Sequence, residues 1–458
     1  METYLVKTVK KPVEIEVEVP GSKSITNRAL LMAAMGNGES VLNGVLFSDD
    51  SRHFLQALKD LGFTLEVDEE KCMVRIVGQG GEIPKKEAKV YVGSAGTAAR
   101  FLTAFLAMGD GVYEVNSSEQ MKKRPMRELL VALEQLGAKI SYQREAYTFP
   151  MTITGIGRDR VEAAKENASV ELNIDRSSQF LSALLMVAPL CFSSLRITLT
   201  GSRSARSYVE MTEQMMKQFG HPGVKRLDEN CYETVEGTYL AQDYQIEPDV
   251  SAACYFYAMA AVTGGSAMVR RMRKDSLQGD MKFLKVLEQM GCSLIWKEET
   301  ADCILEQEKA EGAFNDRKES ISATEQLYLK APKKLKGITA SFSDFSDQAL
   351  TMAAIAPYAD APVTIQGIAH TRGQESNRVA VMHTELERMG IRCEETEESI
   401  TIYPGELHGA QIQTYDDHRV AMSFAVTGLM TEGIVIENPN CCKKTFPEYF
   451  TVIEQIYH

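Results

Sequence analysis

Apolar residues recur along this chain at two spacings, one helical and one alternating, and glycine stands where the first gives way to the second. ALKDLGF runs up to Gly62, ALEQLGA to Gly137, MMKQFGH to Gly220, VLEQMGC to Gly291 and ELERMGI to Gly390. In each, apolar residues three and four apart predict the last turns of an amphipathic helix. The glycine suits the left-handed position that closes such a helix, and the apolar residues beyond it suit a strand. VIEQIYH repeats the pattern at the last residues, with Tyr457 in the glycine slot. A single Leu-Gly helix ending is common, but five with a degenerate sixth predict one compact supersecondary unit used six times.

Strand-like segments (VYEVN, LRITLT, AMVRRM, PVTIQG, GIVIEN) lie between the helical ones, so the expected class is α/β with repeated units. The first residues, METYLVKTVKKPVEIEVEVP, alternate like a strand and lack the continuous apolar core of a signal segment. Two places suit a crossing between lobes, Pro20-Gly21 and EPDVSAACYF at 247–256. They divide the chain into an N-terminal lobe, 21–248, and a C-terminal lobe made of 1–20 and 249–458. The charged stretch EKAEGAFNDRKESISATEQ at 308–326 is expected to be a surface insertion.

Composition then narrows the function. With 458 residues, 44% hydrophobic and 25% charged, the chain has the makeup of an ordinary globular protein large enough for two cores. A net charge of −13 argues against a broad nucleic-acid surface, yet a small anion needs only a local cluster of Lys, Arg and backbone N–H groups. Nine cysteines show no CxxC pair and read as free thiols of a reducing cytoplasm. Apolar runs such as FLSALLMVAPLCF are too short to span a bilayer.

Candidate chemistry gathers at helix entrances. PGSKSITNRALL (20–31) sets Lys23, Ser24 and Arg28 at a helix start, and a cation in the first turn opposes the helix dipole unless an anion is held there. VGSAGTAARFLTAFLA (92–107) lets a ligand approach the backbone at Gly93 and Gly96, although small residues also serve close helix packing. MKKRPMRELL brings Arg124 to a third such entrance, and DRSSQFLSALLM supplies Ser177, Ser178 and Gln179, which either cap the helix or orient a hydroxylated ligand. Asp175 and Arg176 could pair with one another. Downstream, Asp347 reads as an N-cap, Glu375 and Arg378 as a surface helical pair, and YDDHRVAM and CCKKTFPEYF add Asp416, Asp417, His418, Arg419, Lys443 and Lys444. A divalent metal on His418 and its aspartates is disfavoured by the abundant cations and the want of a second histidine, and no G-x-S-x-G elbow supports a serine hydrolase.

Assembled in order, PGSKSITNRALL, GSAGTAARFLTA, KRPM, SSQFLSALLM, SDQALTMA, RGQESNR, YDDHRVAM and KKTFPEYF resemble the enolpyruvyl transferases over almost the full chain, on the branch that takes shikimate 3-phosphate as acceptor. The resemblance implies two domains of three βαβαββ units each, an inverse α/β barrel arrangement with the active site in the cleft between them. It implies phosphoenolpyruvate as donor, addition and elimination as the reaction, and no cofactor or metal. It assigns Ser24, Arg28, Ser177, Ser178, Gln179 and Tyr208 to shikimate 3-phosphate, with Lys23 and Asp347 touching it as well. Lys23, Gly96, Arg124, Gln179, Arg378, Arg419 and Lys444 fall to phosphoenolpyruvate. Lys23, Asp347, Glu375, His418 and Lys444 are the catalytic candidates. A cytoplasmic monomer acting on small molecules, without nucleic acid or membrane, and open to glyphosate near Gly96, completes the expectation.

Two positions depart from the family pattern: Gln374 stands where many relatives carry a lysine, and Ala205 where many carry a serine, with Ser204 or Ser207 as possible substitutes. Two alternatives stay open at this point. One is enolpyruvyl transfer to UDP-N-acetylglucosamine, against which the serine set argues, and the other is a silent paralogue that only binds anionic metabolites.

Overall fold

The structure is a computed structural model that describes residues 2–157, 168–202, 206–299 and 324–457. The expected insertion therefore lies outside the described residues as far as 323, as do Ser204 and Ala205.

Six sheets are present among the described residues, and five follow one plan. Glu87–Tyr91 pairs in parallel with Val112–Asn116 across the helix Gly96–Met108; after the helix Arg127–Gln135, strands Lys139–Tyr142 and Met151–Thr154 close the sheet antiparallel. Spatially the fourth strand lies between the second and third, and the same order recurs in the sheets built from Ala168–Thr234 and Thr339–Ile402. Two units borrow their first strand from far along the chain. Glu14–Val17 pairs in parallel with Ser266–Val269, and Asp243–Gln245 with Gly36–Asn43. The sixth sheet has three strands, with Thr3–Leu5 antiparallel to Val435–Glu437.

Glycine ends the second helix of five units as the sequence predicts. Gly62, Gly137, Gly220, Gly291 and Gly390 all have φ between 79° and 109°, a region that a Cβ disfavours. These second helices are amphipathic and cover the sheets. The first helix of each unit sits inside; every residue of Gly96–Met108 is buried.

One hydrophobic core runs from Ile25 to Ile246, and a second gathers Val6, Val13 and Ile15 with residues 250–453. The chain passes between them twice, side by side: Ser22 N–H donates to the Glu247 carbonyl and Asp249 N–H to that of Pro20, both at 2.8 Å. Asp249 also joins the two helices that start there. One carboxylate oxygen accepts from Ala252 N–H at 3.0 Å and the other from Lys23 N–H at 3.1 Å.

Candidate active site

Between the two cores lies a cleft of about 750 Å³, space open to solvent included, lined from the starts of five inner helices by Lys23, Thr97, Gln179, Asp347 and His418 among others. Inner helices are buried along their length, so only their entrances reach the cavity, and each entrance brings unpaired N–H groups with it.

Two carboxylates face one another across a single guanidinium. Arg378 donates to Asp347 at 2.9 Å and to Glu375 at 3.1 Å, while its Nε and second Nη hold Asp417 at 2.8 and 3.2 Å. It donates to the Gln374 amide oxygen as well. Asp347 further accepts from Arg419 at 2.8 Å and from the Tyr208 hydroxyl at 2.9 Å. Glu375 further meets Lys444 at 3.1 Å and Arg124 at 3.4 Å. The Tyr208–Asp347 and Arg124–Glu375 contacts join residues packed on different cores, so the two halves close on each other here.

These arrangements set the charges. Burial alone would raise both carboxyls, but Arg419, Arg378 and Lys23 hold Asp347 below the usual range. Arg124, Lys444 and Arg378 hold Glu375 well below it against the same burial. Burial lowers Lys23, whose ammonium lies 3.7 Å from Asp50. His418 is pushed down far by burial and then by Lys23, Arg419 and Lys444, so it is neutral at physiological pH. Neither of its ring nitrogens has a hydrogen-bond partner although the side chain is buried. The 3.8 Å approach of Asp417 to its Nδ1 is therefore not an ion pair.

The other wall is neutral and hydroxylated. Ser177 and Ser178 are buried at the entrance of the helix Gln179–Val187. Gln179 accepts from Arg100 at 2.6 Å. Arg28 has no acid partner: it donates to Thr212 at 2.9 Å, to the carbonyls of Ser24 and Tyr208 at 3.0 and 3.3 Å, and to Ser182 at 3.3 Å, over the ring of Phe101. Burial pushes it down to about 10, still protonated at neutral pH.

All the site residues expected from sequence lie in or against this cavity, Ser24, Gly96 and Lys444 included. Three local readings change. Asp347 does not cap its helix but holds two arginines. The Glu375–Arg378 pair is buried, not solvated. Asp175 accepts from Asn173 and Ser202 N–H, and Arg176 is left facing the cavity. Arg372 and Lys443 stay outside; Arg372 donates to the carbonyls of Thr396 and Glu397.

Sequence reasoning passed over Asp50 and Asp280, acids without a local pattern. Asp280 lies behind the cavity, accepting from Ser251 at 3.0 Å and Gln348 at 2.8 Å. Burial and then the Asp347 charge push its carboxyl up to about 6, against Arg419. Folding thus binds a proton there more tightly than the unfolded chain, and stability is lost as pH rises from about 4 to 6. Asp280→Asn is expected to melt a few degrees above the wild type near pH 8 and level with it near pH 4; equal melting at both would show the charge costs nothing.

A family model described as EPSP synthase (3-phosphoshikimate 1-carboxyvinyltransferase) matches residues 7–453. The chain is 41% identical over 452 residues to the 3-phosphoshikimate 1-carboxyvinyltransferase of Trichormus variabilis, covering 98% of each. It is 38% identical to 3-phosphoshikimate 1-carboxyvinyltransferase 2 of Halalkalibacterium halodurans, over 96% of this chain and 91% of that one. Among solved structures, the EPSP synthase of Acinetobacter baumannii superposes with a TM-score of 0.77 at 25% identity, covering 100% of this chain and 98% of the other.

Proposed function

The chain belongs to the EPSP synthase family, and on that premise we propose how its cleft moves the enolpyruvyl group of phosphoenolpyruvate onto the 5-hydroxyl of shikimate 3-phosphate with release of phosphate. The transfer is a step of the shikimate pathway toward aromatic amino acids, and nothing in the comparisons favours the nucleotide-sugar or silent alternatives. The observation that carries the mechanism is Arg378 bonded at once to Asp347 and Glu375. Two acid-base groups held by one cation suit a reaction that must add and then eliminate.

Phosphoenolpyruvate sits among Lys23, Arg124, Arg378, Arg419 and Lys444, beside Gly96 and Gln179. Shikimate 3-phosphate lies against Ser24, Arg28, Ser177, Ser178, Gln179 and Tyr208, with Lys23 and Asp347 between the two. Both carboxylates are clamped by cations and are weak bases. The anionic groups of phosphoenolpyruvate compete for those same cations, and each ion pair they displace returns basicity to Glu375 and Asp347.

Glu375, its basicity returned, takes up a proton from solvent and delivers it to the methylene carbon while the 5-hydroxyl oxygen adds to C2 and its proton passes to Asp347 or Lys23. The Glu375 carboxylate then takes a proton back from the resulting methyl, restoring the double bond as the C2–O bond to phosphate breaks and phosphate leaves. Arg124, Arg378 and Lys444 offset the charge of the anionic oxygens throughout. Neutral His418 offers an N–H and a lone pair to the reacting group.

The test is phosphate release from phosphoenolpyruvate with shikimate 3-phosphate, and separately with UDP-N-acetylglucosamine. Release only with the first is expected; none with it sinks the proposal. A second expectation concerns Gly96, where an added Cβ would lie 2.9 Å from both terminal nitrogens of Arg124 and from one of Arg100. Gly96→Ala should raise KM for phosphoenolpyruvate roughly tenfold, the effect of about one misplaced charge-assisted bond, with kcat less affected. An unaltered KM would place the donor elsewhere.

We propose the lobe division at 21–248 against 1–20 with 249–458, supported by the two cores and the paired crossings. A cytoplasmic monomer is proposed with it; the eight described cysteines are free, and the exposed large hydrophobic residues fall on separate strands and turns. Among the described residues no helix is long and apolar enough to cross a membrane.

A further inference from the structure

We propose that Arg176 is a binding and specificity residue for the phosphate of shikimate 3-phosphate, a proposal that rests on the reading above. Seven cationic side chains line the cavity among the described residues. Six of them are already engaged. Lys23 has Asp50, Arg28 has hydroxyls and carbonyls, and Arg100 has Gln179 and the Pro125 carbonyl. Arg124 has Glu375 and the Ser94 carbonyl, and Arg378 and Arg419 share Asp347.

Arg176 is the exception: it makes no hydrogen bond or ion pair with any described residue, and its side chain is exposed. Its sequence neighbour Asp175 does not neutralise it, because that carboxylate takes Ser202 N–H at 2.9 Å and Asn173 at 3.3 Å. Directly after it come Ser177 and Ser178, which supply hydroxyls but no charge. Gln374, from the other half of the molecule, adds a neutral amide to the same cavity, with its oxygen already taken by Arg378.

A phosphate dianion placed on those serines therefore finds one uncommitted cation within its own wall among the described residues. A guanidinium is more weakly hydrated than an ammonium and offers two parallel N–H donors that match phosphate oxygens. The engaged cations would each have to abandon a partner to do the same. Arg176 thus supplies the charge, and the buried serines supply the geometry.

The experiment measures dissociation constants of shikimate 3-phosphate and of shikimate, each without phosphoenolpyruvate, together with steady-state kinetics, for the wild type, Arg176→Lys and Arg176→Gln. For Arg176→Gln, shikimate 3-phosphate should bind about tenfold more weakly, with Arg176→Lys between, while the weak binding of unphosphorylated shikimate changes less than about twofold. The kinetic loss should fall on KM for shikimate 3-phosphate rather than on kcat. A change under about threefold for shikimate 3-phosphate overturns the proposal and leaves the enolpyruvyl transfer standing. Equal weakening of both ligands overturns it too, since the contact would then be to the ring. A wild type that binds no shikimate 3-phosphate removes the functional reading and this proposal together.

Discussion

Glu375→Gln is expected to lower kcat by about 10²- to 10⁴-fold, the range for loss of a positioned acid-base group, while shikimate 3-phosphate still binds. The physical reason lies in what surrounds the carboxylate. Arg124, Lys444 and Arg378 all bear on Glu375, and burial keeps their fields strong. An amide of the same shape keeps the packing and removes both the proton and the charge. The three cations then lack their counter-charge, so the anionic donor meets less competition and its KM should stay level or fall. A lower kcat with an unraised KM separates a proton-transfer role from a binding one. Turnover within about tenfold of the wild type, measured by phosphate release at saturating substrates, would remove Glu375 from the proton path. The pH profile gives a second reading. Donor anions relieve the carboxylate of its cations, so the acid limb of kcat, which reports the complex, should lie above the ionisation of Glu375 in the free protein.

Arg378→Met is expected to cost about 3–5 kcal/mol of stability at neutral pH, the usual consequence of stripping one partner from a buried ion pair. Arg378 is 1% exposed and links Asp347, Glu375 and Asp417, the last of which is fully buried. Without the guanidinium, Asp417 keeps only Ser376 at 2.9 Å and Arg419 N–H at 3.0 Å among the described residues. The pH dependence has a definite sign. Asp347 and Glu375 are held below their unfolded values, so their contribution to stability is present above about pH 4 and is lost as pH falls through the folded values. In the variant the same carboxyls, buried without the guanidinium, take up protons at a higher pH, so its deficit should be largest near pH 7 and shrink toward pH 4. Urea unfolding at the two pH values checks this, and a deficit under about 1 kcal/mol near pH 7 would mean the cluster relaxes around the loss. Catalysis should fail as well, with KM for phosphoenolpyruvate raised about a hundredfold or more, since the cation that aligns both acids, and that the proposed mechanism places on the donor, has gone.

The two expectations meet in one design. An acidic chain keeps its cations where inner helices open, and keeps them ordered by setting buried carboxylates among them. On the proposed reading, the substrate anions exchange with carboxylates that are already there rather than fill a bare positive cleft. Arg176 stands apart because, among the described residues, it has no hydrogen-bond or ion-pair partner.

Much of the fold was legible along the chain. Helix-to-strand joints are local events: a stripe at helical spacing, a residue able to take positive φ, and an apolar strand behind it. Gly62, Gly137, Gly220, Gly291 and Gly390 mark them without reference to anything distant. The cationic entrances around Lys23, Arg124 and Arg419 were legible for a similar reason, since a cation in a helix's first turn is unfavourable in any surroundings unless something negative is brought to it. The partners of those charges were not legible. Asp347 has the sequence of an N-cap and Arg378 that of a surface pair with Glu375. The acids that Arg378 serves lie 31 and 39 residues from it in sequence, and Tyr208 reaches Asp347 across 139. Asp280 and Asp50 carry no local pattern at all. Sequence by itself determined the units, their joints and the residues at each helix entrance, because those follow from chain-local sterics and periodicity. Only the tertiary structure decided which carboxylate holds which cation and which cation is left free, because ion pairing depends on the closure of two cores that the chain crosses twice.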